Sequence, residues 1–211
     1  MSKYKCIIFD CDGVLIDSEP IAIGTLVDMA NHLGANINLK DALVNFKGKS
    51  LNVCLSFISK RIDAPIPVNF EQDYRINTFE AFRNNIKPIR GINEVVKNLT
   101  IPFCVASSGP ENKIRLNLDI TGLLPYFEGN IFSCYALQKW KPEPDVFLWA
   151  AKTMGFTPTE CLVIEDSVSG VKAALAGGFD VFGYTAHDYK NELEGLATKT
   201  FSSMEQLKTI I

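Results

Sequence analysis

Histidine is scarce in this 211-residue sequence, with only His32 and His187. Neither stands beside a cysteine or second histidine at zinc-ligand spacing, so a zinc centre is excluded and both read as ordinary surface or packing residues. Closely spaced cysteine pairs are also missing: Cys6, Cys11, Cys54, Cys104, Cys134 and Cys161 are scattered, which leaves no metal or redox motif. Cys6, Cys104 and Cys161 lie in apolar runs, where a free thiol acts as a small hydrophobe, and a reducing, cytoplasmic setting is expected. There is no basic block. With 21 basic against 24 acidic residues and a formal charge of −3, neither nucleic acid nor an anionic membrane is an expected partner. No apolar stretch approaches the roughly 20 residues of a membrane span, and the run before Asp10 is too short for the apolar part of a secretory signal. Repeats, low-complexity tracts and long linkers are absent too.

What is present is an alternation. Short apolar or β-branched runs at Lys5 to Asp10, Ile101 to Ser107, Asn130 to Ser133, Cys161 to Asp166 and Phe179 to Tyr184 are separated by helical patterns. Val146, Phe147, Ala150, Ala151 and Met154 share one side of a 3.6-residue period, as do Val168, Val171 and Leu175. Strands alternating with helices predict an α/β fold, a doubly wound parallel sheet covered on both faces. One interval departs from this. Between the first and second strands the sequence shows three helical patterns and no convincing strand, carried by Leu26, Met29, Ala30 and Leu33, by Leu51, Cys54, Leu55 and Ile58, and more loosely by Phe79, Phe82 and Ile86. A crossover needs only a dozen or so residues, so this stretch predicts an inserted all-helical cap over residues 16–87, with a catalytic core of residues 1–15 and 88–211.

Ligands of open α/β sheets bind beyond the carboxyl ends of the strands. The first predicted strand ends in Asp10-Cys11-Asp12-Gly13, the second in Ser107-Ser108-Gly109 and the fourth in Glu165-Asp166-Ser167. Lys141, in Trp140-Lys141-Pro142, follows the third strand and is read as the only lysine able to meet the carboxylates. Taken singly, each is a turn, a helix cap or a surface lysine. Their joint placement at successive strand ends points to chemistry. Carboxylates so close raise one another's pKa unless a cation joins them, and an oxygen-only set suits Mg²⁺ held by Asp10, Asp12, Glu165 and Asp166. A phosphate docked on that ion, Lys141 and the hydroxyls of Ser107 and Ser108 leaves one carboxylate to attack phosphorus. Asp10, leaving the strand end, is the expected nucleophile. Asp12, two residues on, is the expected acid to the leaving alkoxide and later the base for water.

Phe9-Asp10-Cys11-Asp12-Gly13-Val14-Leu15-Ile16-Asp17-Ser18-Glu19, Val105-Ala106-Ser107-Ser108-Gly109, Lys141-Pro142-Glu143-Pro144-Asp145 and Ile164-Glu165-Asp166-Ser167 with Gly170 resemble, in order, the four motifs of the haloacid dehalogenase-like hydrolase superfamily. The position of the insertion is similar to that of the helical-cap subgroup containing β-phosphoglucomutase and phosphoglycolate phosphatase, and the texture resembles its 6-phosphogluconate phosphatase branch. The resemblance implies the same roles for Asp10, Asp12, Ser107 and Lys141. It also implies Asp166 as a magnesium ligand, Glu165 acting directly or through water, and a further ligand in the Asp12 backbone carbonyl. Dehalogenases of this superfamily lack the second aspartate, because a halide leaves without a proton; Asp12 favours phosphoryl chemistry.

The expected function is therefore a Mg²⁺-dependent phosphatase of a small phosphorylated sugar, sugar acid or polyol, acting as a monomer or weak homo-oligomer. A phosphosugar mutase would share the chemistry, and a receiver-like phosphoacceptor module is the alternative outside enzymes. Selectivity must come from residues around the leaving group, and Glu19, Lys47 and Lys49 are the polar candidates of the cap. Each also reads as a solvated or first-turn helix charge.

Overall fold

The computed structural model describes residues 3–211, and the chain divides into two compact units. One comprises the chain up to Asp17 and again from Lys87 onward; the other is Ser18–Ile86. The first unit holds β1 (Cys6–Phe9), β2 (Phe103–Ser107), β3 (Ile131–Ser133), β4 (Cys161–Glu165), β5 (Asp180–Tyr184) and β6 (Lys199–Phe201). They form one sheet in the order β3-β2-β1-β4-β5-β6, every neighbouring pair parallel. Ile8 lies opposite Cys104 on one side and Val163 on the other, which fixes the register of β2, β1 and β4. All residues of β1 and β4 are buried, as expected of parallel strands with helices over both faces. The sixth strand is an addition to the sequence reading, which ended at Tyr184.

The second unit has four helices, not the three expected: α1 (Glu19–His32), α2 (Leu39–Phe46), α3 (Leu51–Ser59) and α4 (Phe70–Asn85). The extra one is α2, where Asn38 caps the N-terminus by accepting a hydrogen bond from Lys40 N at 2.8 Å. Only Ala42 and Phe46 are buried along it, a stripe too short to stand out in the sequence. These two join Ile23, Leu26, Cys54 and Ile58 in the core of this unit.

The first unit continues with α5 (Ile92–Asn98), α6 (Glu111–Ile120), α7 (Leu124–Phe127), α8 (Cys134–Leu137), α9 (Asp145–Met154), α10 (Val168–Ala176) and α11 (Met204–Ile210). Helix α9 packs on β1, β2 and β3, and α10 packs on β4 and β5. Under them Ile8, Ala106, Val146, Phe147, Val163 and Val171 form one apolar cluster that also takes in Cys6, Cys104 and Cys161. On the opposite face Phe9, Phe103 and Phe127 meet edge to face, with ring centroids 5.2 to 6.2 Å apart. Phe9 and Phe127 are fully buried, and each such side chain contributes about 1.5–3 kcal/mol to the packing beneath β1. All six cysteines are buried and unbridged. No described helix is long and apolar enough to cross a membrane.

Candidate active site

The carboxyl ends of β1, β2 and β4 lie side by side, because these strands are adjacent in the sheet. Asp10 follows β1 directly, and its N–H donates to Ile164 O at 2.9 Å, extending the β1–β4 ladder by one residue and fixing where its carboxylate starts. Beyond it the chain curls. Leu15 N and Ile16 N both donate to Cys11 O, and Gly13 N donates to Ile16 O at 2.8 Å. Gly13 has φ +86°, and a Cβ there would fall 2.3 Å from Asp166 Oδ2. Only glycine satisfies both demands, and it lets the β1 loop press against the end of β4.

Glu165 is almost wholly enclosed and fully engaged. Its Oε2 accepts from Asp166 N, Ser167 N and Ser167 Oγ, each at 2.9 Å, and its Oε1 accepts from Lys141 Nζ at 2.6 Å. Ser167 in turn caps α10 by accepting from Gly170 N at 3.1 Å. A Cβ on Gly170 would stand 1.8 Å from Glu165 Oε1. A Gly170→Ala variant should therefore push Glu165 off Lys141, reducing turnover and costing about 1–3 kcal/mol, although alanine is the better helix former by roughly 1 kcal/mol. Thermal unfolding and turnover check this, and a more stable variant of full activity would contradict it.

Lys141 is the centre of the site, with its side chain 3% exposed. Its ammonium donates to Asp10 Oδ1 at 2.5 Å, Glu165 Oε1 at 2.6 Å and Ala106 O at 3.2 Å, so all three of its hydrogens are taken. Burial works against this charge, but Asp10 and Glu165 outweigh it and hold the lysine above its ordinary pKa. Burial pushes the Asp10 carboxyl well up; Lys141 opposes this, and the neighbouring Glu165 and Asp166 add to it. Asp10, Glu165 and Asp166 each place a carboxylate oxygen within 4.8 Å of the others, all three residues buried. Three carboxylates against one ammonium leave an excess of negative charge with oxygen donors only. That composition fits a hard divalent cation. Cys11, beside them, is no competitor as nucleophile or ligand: burial, Asp12 and Asp10 keep its thiol protonated.

Ser107 is buried at the end of β2, where its Oγ accepts from Gly109 N at 3.0 Å. Ser108 is exposed, and its Oγ accepts a long contact of 3.9 Å from Cys134 Sγ. Asp12 goes its own way. Its side chain is outside the three-carboxylate cluster, and Lys113 Nζ donates to both of its oxygens at 2.9 Å. Lys141 is thus not the only lysine that meets these carboxylates. The sequence does mark Lys113: it lies in the first turn of α6, just beyond the β2 rim, where the helix dipole disfavours a cation. Within the helical unit, Glu19 and Lys47 come together, Lys47 Nζ lying 3.3 Å from Glu19 Oε2 while Gly48 N donates to Glu19 Oε1 at 3.4 Å. Lys49 is exposed, with its N–H on Phe46 O.

An open parallel sheet whose inner strands end in clustered carboxylates around a buried lysine is an enzyme scaffold of the α/β type, with its chemistry at the carboxyl rim. The chain belongs to the haloacid dehalogenase-like hydrolases, whose family pattern matches residues 4–178. It is 30% identical over 208 residues to the 6-phosphogluconate phosphatase of Escherichia coli K12, covering 98% of this chain and 94% of that protein. Hexitol phosphatase A of the same organism is 30% identical over 188 residues, 87% of this chain and 84% of that one. A haloacid dehalogenase-like protein of unknown function from Agrobacterium tumefaciens shares the fold with a TM-score of 0.90 at 30% identity, covering 98% of this chain and 97% of that one.

Proposed function

We propose that this hydrolase is a phosphatase of small phosphorylated sugars, sugar acids or polyols, working in the cytoplasm through a phosphoryl group carried on Asp10. The observation that carries the reading is the ammonium of Lys141 bridging Asp10 and Glu165 beside Asp166. Replacing two carboxylates that share one buried lysine and face a third by well-packed apolar residues is often neutral or stabilising, so their presence is better accounted for by chemistry than by stability. They suit a dianionic substrate and its counterion.

Asp10 and Asp166 would hold Mg²⁺ through their carboxylates and Asp12 through its backbone carbonyl, with Glu165, already committed to Lys141 and Ser167, acting from behind. When bound, the ion would supply Lewis-acid charge that offsets the carboxylates and polarises the phosphoryl group. The remaining work falls to side chains. A phosphate oxygen takes one of the hydrogens that Lys141 now gives to Asp10, Glu165 or Ala106, and the Ser107 hydroxyl, whose oxygen already accepts from Gly109 N, donates its own hydrogen. Ser108 lies at the same strand end and adds a second hydroxyl. An Asp10 carboxylate oxygen attacks phosphorus as the ester P–O bond breaks, and Asp12 gives its proton to the departing alkoxide. Asp12 then takes a proton from the water that cleaves the Asp10–phosphoryl bond.

The helical unit Ser18–Ile86 is read as a cap that selects the leaving group, with Glu19, Lys47 and Lys49 as its polar contacts. The names of the relatives make phosphorylated sugar acids and hexitols the first compounds to test. A panel of 6-phosphogluconate, hexitol phosphates, hexose phosphates and phosphoglycolate with Mg²⁺ should show phosphate release without any bisphosphate activator, and EDTA should abolish it. Absence of release across the panel, or full activity in EDTA, would overturn the reading; a need for a bisphosphate would mark a mutase.

A further inference from the structure

We propose that Lys113 is a positioning residue for Asp12, holding one oxygen of its carboxyl group while the other reaches the leaving-group oxygen. The proposal rests on the phosphatase reading. Lys113 and Asp12 lie 101 positions apart in the chain, and the ammonium contacts both carboxylate oxygens at the same 2.9 Å. The pair is not a buried brace. The side chains keep 21% and 26% of their exposure, in contrast to the enclosed Lys141, so a substrate can approach Asp12 from solvent. The helix that carries Lys113 gains nothing from a cation at this place, because its first turn is the positive end of the dipole. The lysine also stands near the phosphate-binding turn: a Cβ on Gly109 would lie 3.7 Å from both Asp12 Oδ2 and Lys113 Cδ, and 3.5 Å from Ser107 Oγ.

A two-point grip suits a carboxylate at rest. During transfer, one oxygen must carry the proton to the departing alkoxide as the ester P–O bond breaks and the Asp10–phosphorus bond forms. Lys113 then keeps the other oxygen, and the grip closes on both once Asp12 is left as carboxylate. The interaction strengthens as the reaction proceeds, so its loss lowers kcat more than it raises KM.

The test compares two leaving groups. p-Nitrophenolate departs without needing a proton, whereas the alkoxide of a sugar or polyol phosphate needs one. In Lys113→Met, kcat for the best alkyl phosphate of the panel should fall by about 10²-fold, the scale of lost acid catalysis, and that for p-nitrophenyl phosphate by less than about 10-fold. Asp12→Asn should show the same asymmetry, Lys113→Met should add little in the Asp12→Asn background, and Lys113→Arg, able to grip both oxygens, should recover part of the loss. Equal losses on both esters, or independent effects of the two variants, would overturn the proposal while leaving the phosphatase reading intact. A wild-type enzyme inactive on both esters would overturn that reading first.

Discussion

Asp10→Asn should reduce phosphate release by on the order of 10⁴-fold or more, because loss of a nucleophile removes the covalent route altogether. The fold should survive it. Asp10 is held against burial and against the neighbouring Glu165 and Asp166, and only Lys141 favours its charge. An amide of the same shape removes the repulsion and leaves Lys141 bonded to Glu165 at 2.6 Å and Ala106 at 3.2 Å. In EDTA the variant should unfold at the wild-type temperature or a few degrees above it, where about 1 kcal/mol shifts a chain of this size by roughly 2–4 °C. Such a gain would place Asp10 among residues kept for activity at a cost in stability. Turnover near the wild-type rate would remove Asp10 from the nucleophile's role.

Lys141→Met should be damaging on both counts. The thioether fits the space of the stem but leaves the carboxylates of Asp10 and Glu165 enclosed without their shared cation. Breaking a buried ion pair by removing one partner costs about 3–5 kcal/mol, and here two partners are stranded. Added Mg²⁺ should restore part of the lost stability, since an ion that binds only the folded chain raises its unfolding temperature by mass action. Activity should not return with it, because the hydrogens offered to the phosphate are gone. Differential scanning calorimetry with and without Mg²⁺ separates the two effects. An unfolding temperature equal to that of the wild type would show that the pairing of Lys141 contributes nothing to the fold.

The fold was largely legible because strands buried on both faces leave unbroken apolar runs, as in Cys6-Ile7-Ile8-Phe9 and Cys161-Leu162-Val163-Ile164. β6 left no such trace: of its three residues only Phe201 is buried, as befits an edge strand. α2 was hidden for a similar reason, since eight residues with two buried positions offer little periodicity. At the site, strand-end placement brought Asp10, Glu165, Asp166 and Lys141 into view. The same rule applied to strand ends alone passed over Lys113, one helical turn further on. Nor does the sequence reveal that Glu165 spends both oxygens on Lys141 and its own cap, or that Asp12 turns toward α6, because bonding partners of side chains are settled by tertiary packing.

The sheet order has a mechanical consequence. β2, β1, β4 and β5 are the inner strands, while β3 and β6 form the margins. Opening free energies rise from the frayed borders of a sheet toward its middle. Transient separation of the last strand from β5 therefore leaves the carboxylates undisturbed, and Asp10, Glu165 and Asp166 are anchored where breathing of the backbone is rarest.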